Sequence, residues 1–114
     1  SLAGLTEALR KIGHPNCQDA ALRLDASSKE SFDLHLRHAG LTPQDAVAIA
    51  KALSNHGSSA PRLRSFSISY NRALSDEGAT TLLAALPLTL NALGMVECDL
   101  SDESGRMLLD WGQH

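Results

Sequence analysis

Apolar residues follow two alternating rhythms along the chain. Leu2, Leu5, Leu9 and Ile12 share one helical face, and Gly13-His14-Pro15 ends that run. From Ser31 a shorter period begins: Leu34 and Leu36 alternate with Asp33, His35 and Arg37, the spacing of a strand with one buried face. Leu41 follows. Thr42 then supplies a helix N-cap and Pro43 suits the first helical position, where its missing N–H costs nothing. Ile49 and Leu53 face inward from this helix. The same order returns from Leu63, with Phe66 and Ile68 on a strand and Asn71 turning its amide onto the backbone at the strand exit. There the segment SDEG opens a helix, with Ser75 or Asp76 as cap and Gly78 at a crowded packing position. Ala79, Leu82, Leu83 and Leu86 carry that helix. A third round starts at Leu90, with Leu93 and Met95 on the strand and Cys98, Leu100, Leu108 and Trp111 completing its apolar set.

Two stretches interrupt the pattern. In residues 16–30, Leu22 and Leu24 alternate with polar neighbours, so Ala21 to Asp25 reads as a short strand and Ser27 to Glu30 as a turn. A hairpin cap is the first reading and a helix starting near Asn16 the alternative. Ser54 to Arg62, SNHGSSAPR, is rich in Ser, Gly and Pro and reads as a polar surface insertion.

The run Leu63-x-x-Phe66-x-Ile68-x-x-Asn71, then a leucine, then SDEG and an alanine/leucine helix, resembles ribonuclease-inhibitor-type leucine-rich repeats. The resemblance spans residues 31–112, with 2–12 as a partial unit. It departs from the pattern at Ala39, which stands where Asn71 does, at Asp45, which stands where Gly78 does, and in one extra residue between Asn71 and Leu74. It implies a short right-handed α/β solenoid, with parallel strands on a concave face and helices on a convex one. Residues 1–30 would form an N-terminal helix and hairpin cap, and the repeats would run 31–62, 63–89 and 90–114. It also implies a non-enzymatic, cofactor-free interaction module that binds a partner protein through the concave face. The alternatives are a GTPase-activating accessory using an exposed arginine, Arg37 or Arg72, and a capping fragment of a larger receptor or scaffold.

Composition narrows this picture. Apolar residues make up 43% and aromatic ones only 4%, so aliphatic side chains must fill the core. A formal net charge of −3 argues against nucleic-acid binding by a broad cationic face. No apolar run approaches the roughly 20 residues that cross a bilayer, and no secretory signal pattern opens the chain. Cys17 and Cys98 sit in different contexts and read as reduced thiols of a cytoplasmic protein.

If the apolar strand residues point inward, their neighbours form an outer surface. That surface holds Asp33, His35 and Arg37, then Ser65, Ser67 and Ser69, then Ala92, Gly94 and Val96, with His38, Tyr70 and Glu97 as a rim column. An ordinary solvated strand face is the plain alternative. His35, His38 and Asp33 would need a bend to converge on a metal, since residues three apart on a strand face opposite ways. Ser67 or Ser69 with His35 and Asp33 lacks a nucleophile elbow and an oxyanion donor pair. The end around Leu93, Met95 and Trp111 is expected to be covered by self-association or by further chain.

Overall fold

The apolar rhythm becomes four helices and three strands in a computed structural model that describes residues 2–26, 30–57, 61–87 and 90–94. In chain order these are α1 (Ala3–Ile12), α2 (Pro15–Asp25), β1 (Ser31–His35), α3 (Pro43–His56), β2 (Arg62–Ser67), α4 (Ser75–Ala85) and β3 (Ala92–Gly94), with a 3₁₀ turn at Arg72–Leu74 before α4. The strands form one parallel sheet in the order β1-β2-β3. Its register sets Leu34 beside Phe66 and Phe66 beside Leu93. Those side chains join the buried faces of all four helices in a single core reaching from Leu5 to Leu90. Packing runs from α4 to α3 to α1, and α2 lies against α1 and the outer edge of β1. The other face of the sheet carries no helix among the described residues, and His35 and Ala92 on it are exposed.

The expected curved solenoid does not form. The sheet is three strands wide and not curled, in a body measuring 36 × 31 × 19 Å. Solenoid curvature accumulates from a small rotation at each of many repeats. Here only two complete strand-helix units stand in the described residues. Among the described residues, the N-terminal segment adds two helices and no further strand.

The hairpin cap is corrected with it. Residues 15–25 are helical, starting at Pro15 with His14 Nδ1 accepting the Asn16 N–H at 3.1 Å as the N-cap bond. Leu22, which suggested strand alternation, is 63% exposed. The buried face is Cys17, Ala20, Ala21 and Leu24, spaced i, i+3, i+4 and i+7. Ser54, Asn55 and His56, taken above as loop, complete the last turn of α3. Thr42 caps α3 as expected. Asp45 closes the capping box by accepting from Thr42 N at 3.0 Å, while Thr42 Oγ1 accepts from Asp45 N at 3.2 Å. Ser75 and Asp76 lie inside the first turn of α4 instead of before it.

Asn71 ties the two strand exits together. It is 2% exposed, and its Oδ1 accepts from Ala39 N at 3.0 Å and Leu41 N at 3.2 Å. Its Nδ2 donates to Leu36 O at 2.7 Å and Ile68 O at 2.8 Å. One side chain therefore serves the turn after β1 as well as its own, which is why Ala39 can lack an amide.

Candidate functional site

The open face is shaped by a bulge. Pairing steps from Phe32↔Leu63 to Asp33↔Ser65, leaving Arg64 as an extra residue in β2. Leu63 and Phe66 are both buried, and two outward residues now stand between them where strict alternation allows one. Both reach Asp33. Arg64 donates from Nη2 at 2.7 Å and from Nε at 3.1 Å, and Ser65 Oγ donates at 2.6 Å. The Arg64 guanidinium and then the Ser65 hydroxyl hold the Asp33 carboxyl down at about 2, while Asp33 raises Arg64 in turn.

His35 continues the chain of contacts, with Nε2 2.9 Å from Ser65 Oγ. The single Ser65 proton goes to an ionised carboxylate that can only accept, so His35 Nε2 is the donor to Ser65. A base that activates serine must accept that proton, and the order here is Asp–Ser–His, not Asp–His–Ser. The arrangement orients polar groups toward solvent. It does not prime a nucleophile.

Further along the face, Ser67 lies between His35 and Gly94 in the register, and its hydroxyl donates to Ser69 Oγ at 3.2 Å. A Cβ on Gly94 would come within 2.9 Å of Ser67 Oγ, so the glycine makes room for that pair. At the rim, His38 (φ 50°) and Tyr70 (φ 63°) both adopt left-handed backbone, uncommon for residues with a Cβ. Their rings stack 4.6 Å apart and 8° from parallel, and the Arg37 guanidinium carbon lies 5.0 Å from the Tyr70 ring centre. Asn16 of α2 donates to Arg37 O at 3.0 Å and His38 O at 2.9 Å, holding this turn to the helix.

The structure thus gathers Asp33, His35 and Ser65 into one hydrogen-bonded group and His38, Tyr70 and Arg37 into another. Val96 and Glu97 lie outside the described residues. So do Met95, Cys98 and Trp111, with the end expected to self-associate. Sequence reasoning missed Arg64 and Asn16. The three-residue step from Leu63 to Phe66 was a signal for the bulge, because a regular strand repeats every two. No group of three His, Cys, Asp or Glu side chains among the described residues could hold a metal. Cys17 is buried, and desolvation with a smaller push from Asp45 raises its thiol to about 11, away from reactive thiolate. No described helix is long and apolar enough to cross a membrane. Comparison with protein-family models, curated proteins and solved structures returns no match.

Proposed function

We propose that the protein is a non-enzymatic interaction module that receives a partner protein on the open face of its parallel sheet. The observation that carries this reading is the uncovered face itself. All-parallel sheets are ordinarily covered on both sides, yet this one is covered on one side among the described residues and carries ordered polar groups on the other. The contact residues are Asp33, His35, Arg37, Ser65 and Ser67, with His38 and Tyr70 at the rim, while Ser69, expected on the same surface, is buried at 5% exposure and supports Ser67 from beneath. Tyr70, 36% exposed and stacked, is the aromatic anchor. The cytoplasm is the compartment we propose with it.

The resemblance to leucine-rich repeats enters as a second part of the proposal and concerns the single unit, not a curved array. It is supported by the strand, the asparagine-tied exit and the following helix, which leads back to a parallel strand.

Site-specific photo-crosslinking tests the reading. A crosslinker at His35, on the open face, should capture a defined partner from extracts of cells expressing the protein. One at Val47, exposed on α3, should not. Capture from Val47 and none from His35 would overturn the assignment of the face.

A further inference from the structure

A trough runs along the outer edge of the open face, between α2 and β1. Its helix wall carries Asn16, Asp19 and Arg23, and its strand wall carries Asp33, His35 and Arg37. Two adjoining lobes of about 430 and 420 Å³ share Arg23 and His35. The charges around it are uneven. Asp33 is neutralised by the two-pronged bond from Arg64, which lines the same lobe. Among the described residues, Arg23 and Arg37 form no salt bridge. Asp19 is the other acid on the walls. Three arginines therefore face two aspartates, in a chain whose formal net charge is −3.

Geometry adds to charge. Arg37 rests over the Tyr70 ring, so less side-chain freedom is lost when its guanidinium meets a ligand. Asn16 fixes the backbone beneath it through the carbonyls of Arg37 and His38. Arg23 projects from the last turn of α2 on the opposite wall. Guanidinium groups on both walls suit a carboxylate-bearing chain lying along the strand direction, because each offers a fork of donors matched to a carboxylate.

We propose that this trough binds an acidic segment of a partner protein, in extended form, with Arg23 and Arg37 meeting its carboxylates from opposite walls. The proposal rests on the reading of the open face as a partner surface and adds the chemistry of the partner.

The probe is a fluorescein-labelled peptide of alternating glutamate and serine, compared by anisotropy with its glutamine-for-glutamate counterpart. The glutamate peptide should bind the tighter by about fivefold to tenfold, and less so as salt is raised. Arg23→Ala with Arg37→Ala should remove that preference, whereas Lys51→Ala on α3 should leave it. Arg23→Glu with Arg37→Glu should reverse the preference toward a lysine–serine peptide, a gain that misfolding would not produce. Equal binding of the glutamate and glutamine peptides, or an unchanged preference in the double alanine variant, would overturn the proposal. So would a single-stranded oligonucleotide that binds more tightly than the glutamate peptide and loses its hold in that variant. If crosslinks still form from His35 while the peptide preference is missing, the acidic assignment fails and the face reading stands. Crosslinks from Val47 alone would fail the face reading itself.

Discussion

Leu34, Phe66 and Leu93 on one side of the sheet, and Asp33, Ser65 and Ala92 on the other, occupy adjacent rows of the same three strands. The inner row is fixed by packing. Leu34 and Phe66 are almost fully buried, and the helices leave no room for them to turn. The outer row is fixed by polar contacts among side chains that also meet solvent, and water can replace most of those contacts when one partner is removed. Stability should therefore reside on the inner face and at the strand exits, while outer positions can change without loss of fold. A surface of that kind can be shaped by what it binds.

Phe66→Ala should have the largest effect. It empties the centre of the inner row and should cost about 3–5 kcal/mol in urea denaturation. Ser67→Ala, the next residue and on the other face, should move stability by about 0.5 kcal/mol or less. Comparable losses at the two positions would break the contrast between the faces.

Asn71→Ala sharpens the contrast by removing a polar group that is not on the open face. Ala39 N and Leu41 N lose their acceptor and Leu36 O and Ile68 O their donor, all in a buried site. The expected cost is about 2–3 kcal/mol. Amide exchange should quicken at Ala39 and Leu41, a strand exit distant in sequence from the substitution. An unchanged denaturation midpoint would mean that water enters the junction and replaces the side chain.

How far the sequence reveals these regions follows from the same physics. The strand cores of β1 and β2 and the Thr42–Pro43 helix start are legible because apolar period and cap chemistry agree there. Helix α2 is concealed because its buried face is built from Cys17, Ala20 and Ala21, which carry weak hydrophobic signals, while Leu22 faces solvent. Reading that segment as a strand also hid Arg23 and Asn16, whose positions make sense only on a helix beside β1. Arg64 escaped for a separate reason. Alternation counted back from Phe66 would send it to the inner face, and only the bulge at the register step between Phe32 and Asp33 turns it outward beside Ser65. Curvature was inferred from the resemblance alone, and a few units give it nothing to accumulate over.

Gly78→Ala probes how closely the inner side is packed. A Cβ there would lie 2.5 Å from Leu74 Cδ1 and 3.5 Å from the Ala46 Cβ of α3. Leu74 is fully buried, so its side chain can yield only against packed neighbours. Overpacking should cost about 1–2 kcal/mol despite the gain in helix propensity. A stabilised variant would show that α3 and α4 can separate without loss, and would weaken the claim that the inner face alone is rigidly specified.

The smallest effect is expected at the Asp33–Arg64 ion pair, where the outer face is most ordered. The two side chains are 36% and 57% exposed, so water and salt screen most of their attraction. The folded Asp33 carboxyl is depressed to about 2 from an ordinary 3.8. A depressed acid contributes stability that is complete above its unfolded value and is lost as pH falls through the folded one. Wild type and Asp33→Asn should therefore differ slightly at neutral pH. They should converge as the solution is acidified from about 4 to about 2, and 1 M salt should narrow the gap at any pH. Titration of the Asp33 carboxyl carbon by NMR gives an independent reading, with a midpoint near 2 if Arg64 and Ser65 hold the charge in solution. A midpoint near 3.8 would dissolve the ordered group. A large stability gap at neutral pH would make the outer face structural after all, and the division of labour between the two faces would fall.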